Sequence, residues 1–351
     1  MKKAAVCHTL AALSTSGNQD AVELVQQSGI TVHMAPEKNI LRAIIENSDI
    51  VHVHYWNTPE MLDFLCSTLP PRRLLVEIHI GGEHPPHVIT RELINFADIV
   101  KTTGPFSYDL PIFSMLKPEE RLSKIHMIYC AADFSRLKGF TPRKHDAFNV
   151  TYLGTVAFIK MHPDFIKLCH SIRIPESNFI VCGFGQAYPE LKQQAQKLGI
   201  LHRFEFRGEE KDIRHLLEIT DVLGYPLCHD NFSSGELILQ EAAYAGIPAV
   251  VFPYGGAGRM VINDFTGYVV HSEAEYREAI EFLHKRPGER QRLGQNAREY
   301  ARQLFGQPLK AAGRVLHLYQ KMMIRPKNNR NYGNCPASIS QAATSPNTNP
   351  K

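Results

Sequence analysis

At 351 residues the chain is long enough for two domains at the usual ~150 residues each, and its 44% hydrophobic and 21% charged content permits a sizeable core and excludes global disorder. Lysine and arginine number 39 against 35 acids, a net charge of +4; residues 325–351 hold Arg325, Lys327, Arg330 and Lys351 and no acid, so the remainder balances at 35 against 35. A neutral body argues against a nucleic-acid binder, whose folded part carries a basic surplus, and no apolar run of about 20 residues is present to span a bilayer.

The opening MKKAAVCHTLAALSTSG is interrupted by His8 and Thr9 and reads poorly as a secretion leader. The sequence predicts a first strand near residues 4–7. Strands follow at 49–54, 74–79 and 97–102, with a helix over 59–67. A polar, aperiodic stretch, KGFTPRKHDAFN, then reads as a linker. A second series follows, with strands at 149–153, 179–182, 204–206, 222–225 and 249–252 and helices at 189–198, 212–220 and 236–245. Strands alternating with helices imply parallel sheets covered on both faces, an α/β protein. The expected layout is a domain over 1–140, a second over 148–305, a C-terminal helix within 306–324 and a disordered tail over 325–351, rich in Asn, Ser, Pro and Thr. The seven scattered cysteines fit a reducing, cytoplasmic compartment.

The segment carrying most chemistry is 233–267. Its helix ends at Gly246, a good C-cap. A strand follows, then the loop Gly255-Gly256-Ala257-Gly258. In open α/β sheets ligands bind outside the carboxyl ends of the strands. A glycine loop there lets backbone N–H groups approach an anion; the plainer reading is a tight turn. Another Gly-x-Gly, Gly183 to Gly185, also follows a strand but lacks the third glycine of a dinucleotide fingerprint. His52 and His54 alternate on one strand and so share a face.

This segment resembles the nucleotide-sugar site of glycosyltransferase family four, whose members have the GT-B fold of two Rossmann-like domains facing across a cleft. The resemblance covers roughly residues 30–323. It implies that Glu241 binds the donor ribose and that the loop Gly255, Gly256, Ala257, Gly258 lies beneath the donor sugar and diphosphate. It also implies that Lys160 reaches the diphosphate, that Gly183 lies beside the nucleotide and that the backbone at Arg207 and Gly208 borders the base. His79, before a Gly-Gly turn, matches the histidine that approaches the donor sugar. The sequence departs from the family at two site positions: the first of its two glutamates falls on Ser233, and the arginine preceding the lysine falls on Thr155. Arg259 is a candidate to supply the missing charge. Asp133 alone survives of the family turn before the linker. The family's first strand and its acceptor-side Gly-Gly element are absent from the first forty residues, so the chain opens on the next strand; this shortened start is expected to leave the first sheet open at its centre or edge.

The implied activity is transfer of a sugar from a nucleoside diphosphate sugar to an acceptor hydroxyl with retention of configuration. The chain has no Asp-x-Asp to hold a metal, and the resemblance implies no cofactor beyond the co-substrate. The implied partners are the nucleotide sugar and a carbohydrate or lipid-linked acceptor, with no nucleic acid. The setting is cytoplasmic and leaves room for peripheral contact with the inner face of a membrane. Two other readings stand beside it. The departures at Ser233 and Thr155 and the short start suit a non-catalytic GT-B-like binding or scaffold protein. The set His52, His54, His79, Glu83, His84 and His87 suits a zinc hydrolase.

Overall fold

Segments rich in Val, Ile, Phe and Tyr become strands because branched and aromatic side chains pack well on a pleated surface. The computed structural model describes residues 6–332 other than 16 and 131. Its strands in the first half are β1 (Thr9–Ala12), β2 (Thr31–Met34), β3 (Val51–Tyr55), β4 (Leu74–Ile78), β5 (Ile99–Thr102) and β6 (Ile125–Met127). Those in the second half are β7 (Phe148–Leu153), β8 (Ser177–Cys182), β9 (Phe204–Gly208), β10 (Val222–Tyr225), β11 (Ala249–Val251) and β12 (Gly267–Val269).

The second half forms one parallel sheet in the order β12-β11-β10-β7-β8-β9. Read along the chain, it runs outward from β7 through β8 to β9, then returns and runs outward on the other side from β10. The order therefore reverses between β7 and β10, the point at which a doubly wound sheet opens a crevice. Every residue of β7 is buried, as a central strand covered on both faces requires. The close approach of the loops at this point depends on glycine. A Cβ on Gly183, which sits at φ +138°, would lie 1.8 Å from the Gly154 carbonyl oxygen.

The first half contains two parallel sheets: β3-β4-β5-β6, and β1-β2 standing apart from it. The break fits the expected opening of this sheet. No residue of β1, or of the helix Gln19–Gln27 after it, is fully buried. The expected strand at 4–7 is found instead at Thr9–Ala12; residues 4 and 5 lie outside those described.

The C-terminal helix Pro308–Met323 follows Phe305, which packs in the second-half core, and lies against the first half. Its Leu318 and Met322 pack with Leu75, Ile99 and Ile128 on one face of the four-stranded sheet. That face also carries a polar row in lateral register, His54–Glu77–Lys101–His126.

The expected disordered tail is corrected over 325–332. Arg72 and Asn328 exchange backbone hydrogen bonds of 3.0 and 2.9 Å, the Arg72 guanidinium donates to the Arg330 carbonyl at 2.7 Å, and Tyr332 is buried against Phe96. A polar segment is ordered here because it satisfies the buried polar groups at Arg72, Arg73 and Asp98. Residues 333–351 lie outside those described. Cys7, Cys130, Cys169, Cys182 and Cys228 are free thiols, whereas Cys66 is disulfide-bonded, which the expectation of fully reduced cysteines does not accommodate. Among the described residues no helix is long and apolar enough to cross a membrane.

Candidate active site

The loops leaving β7 and β10 at the switch point bring Lys160 and Glu236 together. Lys160 Nζ lies 3.0 Å from Glu236 Oε2, with side chains 12% and 7% exposed, so the pair is nearly dry. The Tyr225 hydroxyl donates to the same carboxylate at 2.6 Å, and the Lys160 ammonium also sits over the Tyr225 and Phe232 rings. Burial pushes the Glu236 carboxyl up, but Lys160 and the Tyr225 hydroxyl outweigh it and hold the group below the usual carboxylate range. Burial beside this carboxylate raises Tyr225 well above the ordinary phenol value.

Ser233, the position of the expected first glutamate, is buried, and its hydroxyl stands beside Glu236 without a well-aligned hydrogen bond. A carboxylate is therefore supplied three positions later, by the residue capping the helix Leu237–Ala245. In the sequence Glu236 stands only as the first residue of the helix predicted over 236–245. The one available signal was its position as a helix N-cap after a Ser-Ser-Gly turn. Thr155 contributes its carbonyl, which accepts from the Tyr152 hydroxyl at 2.8 Å, and brings no charge.

Glu241 is buried on that helix and ion-paired to Arg136, which follows the turn at Asp133. Desolvation is the larger influence and raises the Glu241 carboxyl despite the guanidinium. The neighbouring Gln240 binds the other half of the molecule: its amide donates to the Cys130 carbonyl at 2.9 Å and accepts from Ala132 N–H at 3.2 Å.

The Gly255–Gly258 loop follows β11. Gly255 lies at φ +56°, and Gly256 N–H donates to the Ser233 carbonyl at 3.1 Å. Ala257 and Gly258 open a single helical turn, so their N–H groups lack partners within it. A Cβ on Gly256 would meet the Ser234 carbonyl oxygen at 1.8 Å, so this position admits only glycine. Arg259 reaches across the halves to Asp109 at 3.1 Å. The 231–235 segment is wedged between first-half turns: Ser234 Oγ lies 2.7 Å from Thr103 Oγ1 and 2.8 Å from Ser107 Oγ, and Gly81 N–H donates to the Phe232 carbonyl at 2.7 Å. Thr103, Ser107 and Ser234 were not foreseen as part of the junction.

Gly183 donates its N–H to the Gly208 carbonyl at 2.7 Å, tying two expected nucleotide-side loops together. The Arg207 side chain is taken up by Glu205 at 2.8 Å and Glu210 at 3.2 Å, which leaves its backbone as the part able to meet a base.

In the first half, His79 follows β4. Its Nε2 lies 2.9 Å from His54 Nδ1 and 3.5 Å from Glu77 Oε1, and its ring stacks under Trp56 with centroids 5.3 Å apart. Burial lowers the His79 pKa; desolvation by the rings stacked on it and the neighbouring His52 lower that of His54 to about 4 although this residue keeps an exposed edge, so both imidazoles are neutral at neutral pH. His52 is the bridging member of the set, bonded to the Tyr319 hydroxyl at 2.7 Å and 3.0 Å from Glu77 Oε2. The six residues expected for a metal do not form one set. His52, His54 and His79 gather around Glu77, with Cys130 near, while His84 packs on His229 and His87 on Phe232. Lys101 Nζ lies 2.5 Å from Glu77 Oε1, so an ammonium already supplies the positive charge that a cation would bring to this carboxylate.

Comparison with known proteins bears on the half that holds this site. Residues 133–300 match the family "Glycosyl transferases group 1". The chain is 23% identical to N-acetyl-alpha-D-glucosaminyl L-malate synthase of Bacillus anthracis over 70% of each protein. It is 26% identical to the Vi polysaccharide biosynthesis protein VipC/TviE of Salmonella typhi over 37% of this chain, a match that spans only 23% of that relative's length. Among solved structures, Alr3699/HepE of Anabaena in complex with UDP and glucose superimposes with a TM-score of 0.72 at 17% identity, covering 89% of this chain and 91% of that one. The architecture is GT-B, and residues 133–300, which hold the switch-point crevice and its Lys160–Glu236 pair, are the part that matches the glycosyltransferase group 1 family.

Proposed function

We infer that the chain transfers a glycosyl group from a nucleoside diphosphate sugar to an acceptor hydroxyl, without a metal ion and with retention of anomeric configuration. The observation that carries the reading is the switch point, where the loops after β7 and β10 place Lys160, Tyr225 and Glu236 beside the Gly255–Gly258 turn. As the glycosidic bond breaks, negative charge collects on the departing diphosphate. The Lys160 ammonium has three N–H donors, of which Glu236 takes one, leaving two for phosphate oxygens. The N–H groups of Ala257 and Gly258 form a fixed dipolar wall that needs no reorganisation during reaction, and the Arg259 guanidinium, shared with Asp109, adds positive charge beside it. Glu241 is the ribose acceptor, which requires the Arg136 pair to yield when the nucleotide enters. His79, neutral and held by His54 and Trp56, faces the donor sugar as a hydrogen-bonding group rather than a charge. The acceptor proton leaves through the departing phosphate, and the acceptor is a carbohydrate or a lipid-linked hydroxyl. The UDP held by the Anabaena protein makes uracil the first base to test.

One observation favours the non-catalytic reading. Lys160, Arg259 and Glu241, the three donor-facing charges, are all already paired within the protein. A thermal-shift panel of UDP, GDP, ADP and their sugar conjugates, with turnover followed on the same samples, separates the readings. A ligand at about 100 times its Kd raises stability by about 2.7 kcal/mol. The donor reading expects one nucleotide to stabilise the wild type, Glu241→Ala to lose that shift, and the sugar to be released or transferred. Binding without turnover supports the scaffold, and no shift from any nucleotide sinks the donor site.

A further inference from the structure

The C-terminal helix Pro308–Met323 carries Lys310, Arg314 and Lys321 and no acidic residue. With His317 these residues fall at intervals of four, three and four, one stripe of a helix. They line an open groove of about 610 Å³ between the helix and the edge strand β6, floored by His126, Met127 and Ile128. Among the described residues none of the four forms an ion pair with a carboxylate, although cations elsewhere on the surface commonly do. His126 Nε2 is buried there with no hydrogen-bond partner, and the cations Lys321 and Arg325 and the His317 imidazole are its neighbours. The groove is thus a concentration of positive charge with no counter-charge supplied by the protein.

A second row runs along the same helix. Leu309, Leu316 and Met323 recur every seven residues and are 87%, 39% and 45% exposed, and Ile324 beyond them is 86% exposed. At about 100° per residue, the basic stripe and this apolar row lie roughly 65° to either side of the direction facing away from the core. The core side is fixed by Leu318 and Met322 together with the partly buried Ala311, Val315 and Tyr319. A helix that buries one face and offers solvent a basic edge and an apolar edge has the sidedness of a segment lying in a lipid interface.

We propose that the outward face of the helix Pro308–Met323 and its basic groove dock on an anionic phospholipid surface. The groove takes lipid phosphates, and Leu309, Leu316, Met323 and Ile324 enter the headgroup–acyl boundary. The inference does not use the donor site, and it sets the switch-point crevice at a membrane surface, where a lipid-linked acceptor would be met.

The test is flotation of the full chain with vesicles of phosphatidylcholine alone and of phosphatidylcholine with 30 mol% phosphatidylglycerol, a composition chosen for charge at about physiological ionic strength. The wild type is expected to float with the anionic vesicles only. The triple variant Lys310→Glu, Arg314→Glu, Lys321→Glu loses affinity roughly a hundredfold, from about 1 kcal/mol per charge removed from the surface. Leu309→Asp with Leu316→Asp weakens binding while leaving its dependence on phosphatidylglycerol. All these side chains are exposed, so the variants should melt with the wild type, and the neutral set Lys310→Gln, Arg314→Gln, Lys321→Gln repeats the test with less perturbation. Equal flotation of wild type and charge variants overturns the proposal, as does failure to float on either vesicle. Stabilisation by inorganic phosphate, lost in the triple variant, with no vesicle binding marks a free-anion site and overturns it too. Because nucleotide-induced stabilisation is read separately, loss of vesicle binding with an intact nucleotide shift distinguishes this failure from that of the donor site.

Discussion

Separating Lys160 from Glu236 is the sharpest perturbation the site offers. Their charged atoms lie 3.0 Å apart with side chains 12% and 7% exposed, so solvent screening is slight. Removing one member of such a buried pair leaves an uncompensated charge and costs about 3–5 kcal/mol, whereas replacing both with apolar groups is often nearly neutral. Tyr225 also loses its acceptor when Glu236 is changed, which costs about 1–3 kcal/mol on its own account, so the cycle is best run in a Tyr225→Phe background. Lys160→Met and Glu236→Leu should each lower the melting temperature of the second half by roughly 6–20 °C, at about 2–4 °C per kcal/mol for a unit of this size. The double variant should recover most of that loss, giving a coupling of at least about 5 kcal/mol by urea denaturation followed by circular dichroism. The pair also has a pH signature. The Glu236 carboxyl is lower in the folded state than its ordinary value of 4.5, so its stabilisation is complete above that value and is lost as pH falls through the folded one. The gap between wild type and Glu236→Gln should therefore close in acid. If the double variant is as unstable as the sum of the singles, to within about 0.5 kcal/mol, the two groups are not coupled and the electrostatic account of the site is refuted.

Three further outcomes follow from single contacts. Gly183→Ala places a methyl 1.8 Å from the Gly154 carbonyl oxygen at a backbone angle of +138°, so the variant should lose more than about 3 kcal/mol and bind nucleotide poorly; an unchanged melting temperature would show that these loops are not in contact. Arg72→Ala removes a 2%-exposed guanidinium that holds the Pro70 and Arg330 carbonyls, so amide hydrogen exchange over 325–332 should accelerate while the sheet amides stay protected. His54 should titrate near 4 by NMR rather than at the ordinary 6.5, and stability should fall as pH drops from 6.5 toward 4 because the unfolded chain takes the proton first; His54→Gln should flatten that slope, and a normal titration would mean the imidazole is not desolvated.

The alternation of strands and helices, and with it the α/β class, was legible in the sequence because it rests on local periodicity. The predicted strands at 49–54, 149–153 and 222–225 fall on β3, β7 and β10, and the helix at 308–323 ends where its apolar spacing does. Glycines at Gly255 and Gly256 were likewise readable, since a loop after a strand announces a close backbone approach before any partner is known. The short strands β2, β6 and β12 were not predicted, because three or four residues carry too little pattern to stand out from loops. What the sequence could not decide was which charges meet. Glu236 became the partner of Lys160, Arg136 of Glu241 and Asp109 of Arg259 only through the crossing of chain segments 76, 105 and 150 residues apart. The tail shows the same division: its composition argued for disorder, yet Asn328 and Tyr332 are held by a buried arginine and a phenylalanine more than two hundred residues earlier. Local sequence sets the backbone's short-range preferences. Pairing of buried charges and satisfaction of buried donors depend on which distant segments become neighbours, and the folded sheets alone determine that.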